Sequence, residues 1–584
     1  MSVFSQIKPI VVSTSIALLL GFTSLSASSV QAANEQSIYS RAATAQPIWA
    51  EHGMVASQES LATRIGVDIL KQGGNAVDAA VAVGFALAVT LPRAGNIGGG
   101  GFMLVHLAET NKTIAIDYRE TAPSKAHKDI FLDEKGKPNP KLSREHGLAV
   151  GVPGTVMGFE LALEKYGTMK LSEVIAPAIK LAKEGISVNP DLANSLDGLK
   201  RRISQWPSSA KIFYKKNGDS FAVNDTLVQT DLAHSLSLIA THGSKGFYEG
   251  ETAEKIVASI KQANGIMTLE DLKNYQVVER EPIRGEYRGY EIVSMPPPSS
   301  GGIHIIQMLN MLENYPINEL GHNTAQTLHL MVESMKHAYA DRSEYLGDPD
   351  FNPVPLKALT DQKYADSLVK KIAYNKATPS AEIKPGNIAP YESNQTTHYS
   401  VVDKWGNAVS NTYTLNFSYG SGLVADGTGI LLNNEMDDFS AKPGTPNAFG
   451  LIGGEANSVQ GNKRPLSSMS PTIVMKEGKP FLVTGSPGGS RIITTTLQLI
   501  MNVIDHKLNV AEATAAPRIH HQWLPDYIGV ETSLNKDTIS LLEAKGHTIK
   551  SSSAMGSTQS IVVTEKGVYG ASDPRRAGSE TLGY

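Results

Sequence analysis

A chain of 584 residues exceeds a typical single domain several-fold, and its 41% hydrophobic and 19% charged residues are those of an ordinary globular protein, which excludes disorder and fibre. With 53 Lys and Arg against 57 Asp and Glu, the net charge of −4 is too balanced to draw nucleic acid or an anionic membrane through a global field. There is no cysteine, so disulfides, thiolate nucleophiles, iron–sulfur clusters and Cys-ligated zinc are excluded together.

Residues 1–32 read as a removed signal peptide: Lys8 gives a weak basic start, Ile10 to Phe22 is mainly apolar, and Val30-Gln31-Ala32 offers the small residues that signal peptidase requires before Ala33. A membrane anchor is the competing reading, but Ser13, Thr14 and Ser15 break the run short of the ~20 residues a span needs. Helices are predicted over 56–71 and 75–90, separated by Gly73-Gly74, the second apolar nearly all round and therefore buried. Residues 154–185 and 323–342 look similar. The run Gly98-Gly99-Gly100-Gly101 lacks the G-x-G-x-x-G spacing of a pyrophosphate cradle and reads as close backbone packing. Lys200, Arg201, Arg202, Lys211, Lys215 and Lys216, interleaved with Trp206 and Tyr214, could suggest single-strand stacking, against the plainer reading of a solvated helix face.

Hairpins are predicted where two β-prone runs flank a short polar turn. They pair Phe102–Leu107 with Thr113–Asp117, Tyr399–Asp403 with Ala408–Leu415, Thr472–Met475 with Phe481–Thr484, and Ser560–Thr564 with Val568–Ala571. Antiparallel sheets covered by helices, a layered α/β body, follow from this pattern. The most linker-like stretch, Ala377 to Asn394, runs directly into Gln395-Thr396-Thr397.

Acyl chemistry without cysteine must use Ser, Thr, a carboxylate or a metal. No G-x-S-x-G elbow and no G-x-x-x-x-G-K-[ST] loop occurs. A metal reading has one foothold in His329, Glu333 and His337, four apart on a predicted helix, although the spacing is not H-E-x-x-H and such residues are more often core or surface partners. What remains is a threonine at the mouth of a strand. Cutting the bond between Gln395 and Thr396 would give Thr396 a free α-amino group, whose ordinary pKa lies close to physiological pH, so that one residue carries both nucleophile and base. Alone, Gln-Thr-Thr is equally the start of an ordinary strand.

Its surroundings decide. The stretch Asn394-Gln395-Thr396-Thr397-His398-Tyr399-Ser400-Val401-Val402-Asp403 resembles the processing site of γ-glutamyltranspeptidases, a family of N-terminal-nucleophile hydrolases. Asp117-Tyr118-Arg119-Glu120, Leu432 to Phe439, Arg464 to Pro471 and Gly485 to Arg491 match in family order, and the likeness is to the exported enzymes of Gram-negative bacteria. The resemblance implies a four-layer αββα sandwich with two stacked, mainly antiparallel sheets between helices. It also implies a periplasmic protein cut into chains 33–395 and 396–584 that stay in one body.

By the same resemblance Thr396 attacks first Gln395 and then the γ-carbonyl of a donor such as glutathione, and water or an amino acid or dipeptide takes the γ-glutamyl group. Gly488 and Gly489 match the oxyanion hole, otherwise a plain tight turn, and Thr414 a hydroxyl orienting the Thr396 amine, otherwise a strand threonine. Arg119 with Ser467 and Ser468 would take the donor carboxylate; Asn416, Glu435 and Asp438 would take its ammonium. The plainer readings are an ion pair of Arg119 with Asp117 or Glu120 and a solvated acidic loop. Phe449 holds the place of a lid tyrosine common in the family. No cofactor, metal, nucleic acid or membrane partner is implied. The rivals are a glutaryl acylase of β-lactams from the same superfamily and an uncleaved periplasmic binding protein.

Overall fold

The computed structural model describes residues 43–384, 395–442 and 455–584. Two seven-stranded sheets lie at its centre, and within each every pairing is antiparallel. One runs, edge to edge, Glu580–Gly583, Met54–Ser57, Gln395–Val402, Ala408–Asn416, Gly100–Leu107, Lys112–Tyr118 and Val278–Arg280. The other runs Ile48–Ala50, Gly567–Ser572, Gln559–Thr564, Lys479–Thr484, Thr472–Lys476, Tyr290–Ser294 and Ile283–Tyr287.

Alternation along the strands assigns their faces. Phe102 and Leu104 of the first sheet enter a core with Val293, Ile473, Val483 and Ile561 of the second. Their neighbours Met103 and Val105 point the other way, to Val81 and Phe85 of helix Ala76–Thr90 and Phe159 of helix Thr155–Tyr166. Beyond the second sheet, Ile292, Val474 and Leu482 pack with Ile306, Met335 and Ile500 of helices Gly301–Leu312, Ala325–Tyr345 and Arg491–Ile504. The layers are helix, sheet, sheet, helix, the expected αββα sandwich.

Helix Ala76–Thr90 is buried along its whole length and starts in a capping box, the Asn75 side chain accepting from Val77 N and Asp78 N while Asp78 accepts from Asn75 N. Its first N–H is taken by Asp403 at 2.8 Å. Asp403 also accepts from Trp405 N and Asn407 N, so one carboxylate closes the turn between strands Gln395–Val402 and Ala408–Asn416 and fastens it to the helix. All four predicted hairpins form. The predicted helix from 56 begins instead at Ser60, because Met54–Ser57 joins the first sheet and Glu59 caps the helix on Ala62 N. Residues 154–185 form two helices, Thr155–Tyr166 and Leu171–Glu184, with Gly167 between them. Among the described residues no helix is long and apolar enough to cross a membrane.

The four-glycine run is pressed against backbone, as its sequence suggests. A Cβ on Gly98 would stand 2.1 Å from Leu431 O, and one on Gly99 2.0 Å from Thr414 O. Overpacking of this kind costs about 3 kcal/mol, so Gly99→Ala should lower the urea midpoint by that equivalent, whereas Gly198→Ala, whose Cβ meets nothing within 4 Å, should stay within ~0.5 kcal/mol of wild type.

Candidate active site

Thr396 enters the first sheet beside a register irregularity: Gln395 pairs with Asn416 and Thr397 with Tyr413, so Thr414 and Leu415 together oppose Thr396. A bulge of this kind re-aims side chains. Here it brings the Thr396 and Thr414 hydroxyls to 3.5 Å, with Thr414 Oγ1 also accepting from Asn416 N at 2.8 Å. Asn416 has a left-handed φ of 73°, which ends the strand and turns its side chain toward Asn434 O, to which Nδ2 donates at 2.9 Å. Thr396 is 7% exposed.

One pocket is lined by Thr396, Thr414, Arg119, Glu435, Asp438, Ser467, Ser468 and Gly489, together with Met469 and Ile492. Arg119 follows strand Lys112–Tyr118 and is fully buried. Its Nη1 bonds closely to Glu435, its Nη2 reaches Asp438 Oδ2 at 2.5 Å, and Glu120 stands 3.6 Å away. Pro465 O and Leu466 O accept from the same guanidinium at 3.2 Å each. Asp117, by contrast, takes the Arg119 backbone N–H and pairs with Arg280. The acidic turn is not a solvated loop. Asn433 secures it by accepting from Glu435 N and Gly151 N and by donating to Gly98 O and Gly151 O.

The groups expected to grip the two charges of a donor therefore hold each other, as a buried cation requires. Acceptor capacity remains. Among the described residues, Asn416 Oδ1, Glu435 Oε2, Asp438 Oδ1 and both oxygens of Glu120 are buried without a hydrogen-bond partner. On the pocket's other side, Gly488 and Gly489 have φ of 135° and 60°, a conformation that glycine adopts without strain, and they lead into helix Arg491–Ile504. Gly488 O and Gly489 O accept from Arg491 N and Ile492 N, and the positive end of the helix dipole lies at this turn.

The sequence model of the family described as gamma-glutamyltranspeptidase matches residues 62–583. The chain belongs to the γ-glutamyltranspeptidase family. It is 59% identical to a glutathione hydrolase proenzyme of Escherichia coli over 92% of this chain and 93% of that protein. Among solved structures it is similar to a γ-glutamyltranspeptidase of Helicobacter pylori, 50% identical over 56% of this chain and 93% of that one with a TM-score of 0.55. It is also similar to a cephalosporin acylase from Bacillus halodurans, 28% identical over 94% and 98% with a TM-score of 0.82.

For a γ-glutamyltranspeptidase, the surprise lies outside this pocket. His329 and Glu333 do share a buried face, but their third partner is His547, not His337. His329 Nδ1 meets His547 Nε2 at 2.8 Å, its Nε2 meets Ala373 O, and Lys336 Nζ occupies Glu333 at 2.9 Å. These bonds satisfy the trio, and the Lys336 ammonium opposes a cation. The basic stretch is no stacking platform either: Arg202 turns inward onto Ser418 O and Gly420 O, Lys211 and Lys215 pair with Asp231 and Asp225, and Trp206 and Tyr214 pack on the core. Phe449 lies outside the described residues. Glu120 is the group that the sequence under-weighted, although it adjoins Arg119 in the quoted motif.

Burial pushes the Glu120 carboxyl up to about 8 against the pull of Arg119, and it pushes Glu435 and Asp438 up as well. Burial also works against the charge of Arg119, but the surrounding carboxylates outweigh it and its pKa rises. Between its ordinary 4.5 and about 8, Glu120 holds a proton in the native state that it has released when unfolded. Its contribution is complete at the acid end and is lost as pH rises toward 8. Thermal unfolding from pH 5 to 8 should fall less steeply in Glu120→Gln than in wild type.

Proposed function

We infer that this chain is a self-processing γ-glutamyltransferase and glutathione hydrolase with Thr396 as nucleophile. The observation that carries this reading is one pocket holding a threonine hydroxyl, a buried arginine and unpartnered acceptors at Asn416, Glu435 and Asp438. A donor head with a carboxylate and an ammonium matches both halves of that arrangement. A glutaryl donor lacks the ammonium and would leave the acceptors unmatched, which disfavours the acylase alternative. So does the higher identity to a glutathione hydrolase than to the cephalosporin acylase.

In the first step Thr396 Oγ1 attacks the carbonyl of Gln395, the peptide nitrogen leaves as an amine, and water hydrolyses the resulting ester to release chains ending at Gln395 and beginning at Thr396. The new amine then takes the proton from Oγ1 as the hydroxyl attacks the γ-carbonyl of the donor. Thr414, whose hydroxyl lies 3.5 Å from that of Thr396, orients that amine, and the N–H groups of the Gly488-Gly489 turn take the oxyanion. Arg119, released from Glu435 and Asp438, takes the α-carboxylate with Ser467 and Ser468, and the freed acceptors take the α-ammonium. The departing amine carries off a proton. Water or an amino acid or dipeptide amine then cleaves the γ-glutamyl ester and restores Thr396.

A signal peptide over residues 1–32 would deliver the protein to the periplasm; those residues lie outside the described ones. Intact mass of purified wild type should give two chains beginning near residue 33 and at Thr396. Thr396→Ala should give one chain without γ-glutamyl anilide hydrolysis, and turnover by that variant would end the proposal. Wild type should act on γ-glutamyl anilide far faster than on glutaryl anilide.

A further inference from the structure

Asn457 takes no part in the scheme above, yet it joins the two sides of the donor pocket. It ends the short turn Glu455–Asn457 and is 2% exposed. Its Nδ2 donates to Asp438 O at 2.8 Å, and its Oδ1 accepts from Leu466 N at 3.0 Å. Both partners are backbone groups, a carbonyl that only accepts and an N–H that only donates, so the orientation of the amide and the direction of both bonds are fixed. Asp438 lines the pocket from the acidic turn, and Leu466 immediately precedes Ser467 and Ser468, which line it from the other side.

These two bonds close a ring. Arg119 Nη2 donates to Asp438 Oδ2 at 2.5 Å and to Leu466 O at 3.2 Å. The acidic turn and the serine segment are therefore bridged twice, once by the guanidinium and once by the Asn457 amide. A donor treats the two bridges differently. Its α-carboxylate competes with Asp438 for Arg119, whereas the bonds of Asn457 involve no charged group and stay in place. Asn457 is itself held firmly: its carbonyl accepts from Ser440 N at 2.9 Å, and Lys463 Nζ donates to the flanking carbonyls of Ala456 and Ser458 at 2.7 and 3.2 Å. Asn352 Nδ2 adds a bond to Ala456 O at 2.9 Å, and Gly347 packs on the same oxygen, where a Cβ would stand 2.4 Å away.

We propose that Asn457 is a positioning residue for the donor: it fixes Asp438 relative to the Arg119 and serine side, so that one zwitterionic head meets both once the Arg119–Asp438 pair has opened. This rests on the γ-glutamyl reading of the site. A ligand that engages both sides depends on that spacing, and a ligand that engages only one does not. The test uses processed enzyme and the variants Asn457→Leu, which keeps the volume and removes both bonds, and Asn457→Ala. It measures KM and kcat for γ-glutamyl anilide, and competitive inhibition by L-glutamate and by glutarate, which lacks the ammonium.

Asn457→Leu should raise the KM and the glutamate inhibition constant about tenfold, the scale of losing one to two buried hydrogen bonds, with a smaller change in kcat. Glutarate inhibition should stay within about twofold of wild type, since glutarate meets the arginine and serine side alone. Asn457→Ala should show the same split and carries the test if the leucine variant does not fold. An equal or larger loss for glutarate would mark general damage and overturn the proposal, as would unchanged constants for both ligands or failure of both variants to process. A wild type that binds glutamate no better than glutarate would overturn the site reading and this proposal together.

Discussion

A guanidinium taken wholly out of water must be paired, and the pairing of Arg119 organises this molecule. Desolvating such a cation costs several kcal/mol that only close, well-directed acceptors offset. Arg119 has Glu435, Asp438, Glu120 and two backbone carbonyls, which exceeds what one positive charge requires. The excess is visible as carboxylate oxygens without partners and as the upward shift of every carboxyl in the cluster. On the proposed reading a zwitterion would fit this cluster in both parts, bringing an anion for Arg119 and a cation for the oxygens it releases.

Such a cluster keeps its geometry only if its supports cannot move, and those supports come from distant parts of the chain. Arg119 continues a strand paired with Gly100–Leu107, which in turn pairs with the strand that carries Thr414. The acidic turn is tied through Asn433 to Gly98, and Gly99 is packed on Thr414 O, so the glycine run couples the charge cluster to the strand opposite Thr396. From the other sheet, Gly485 closes on the His398 ring, since a Cβ there would stand 2.5 Å from it. The segment leading into the Gly488-Gly489 turn is thereby seated against the strand that begins with Gln395 and Thr396. Both sheets thus contribute rigid edges to one pocket.

Much of this was legible in sequence because it depends on local pattern. Hairpins announce themselves by alternation around polar turns, and all four were found; the helix Ala76–Thr90 shows its burial by being apolar all round. The pocket residues were reached through motif resemblance, and Arg119, Glu435, Asp438, Ser467, Ser468, Thr396, Thr414 and Gly489 do converge. What pattern could not give was partner choice. His337 has the helical spacing to join His329 and Glu333, yet His547, more than 200 residues away, takes the place, because a contact with a packed neighbouring segment overrides one along a helix. The Arg119 guanidinium likewise bypasses Asp117, two residues earlier, because Arg280 and Arg464 from distant parts of the chain take that carboxylate.

On the proposed reading, cleavage supplies one thing that the fold cannot, an amine where there had been an amide. An amide nitrogen has no usable lone pair for a hydroxyl proton, whereas an amine near neutral pH does. The same pocket would first act on the peptide bond of its own residue and only afterwards, with a base attached to its nucleophile, on donors from outside.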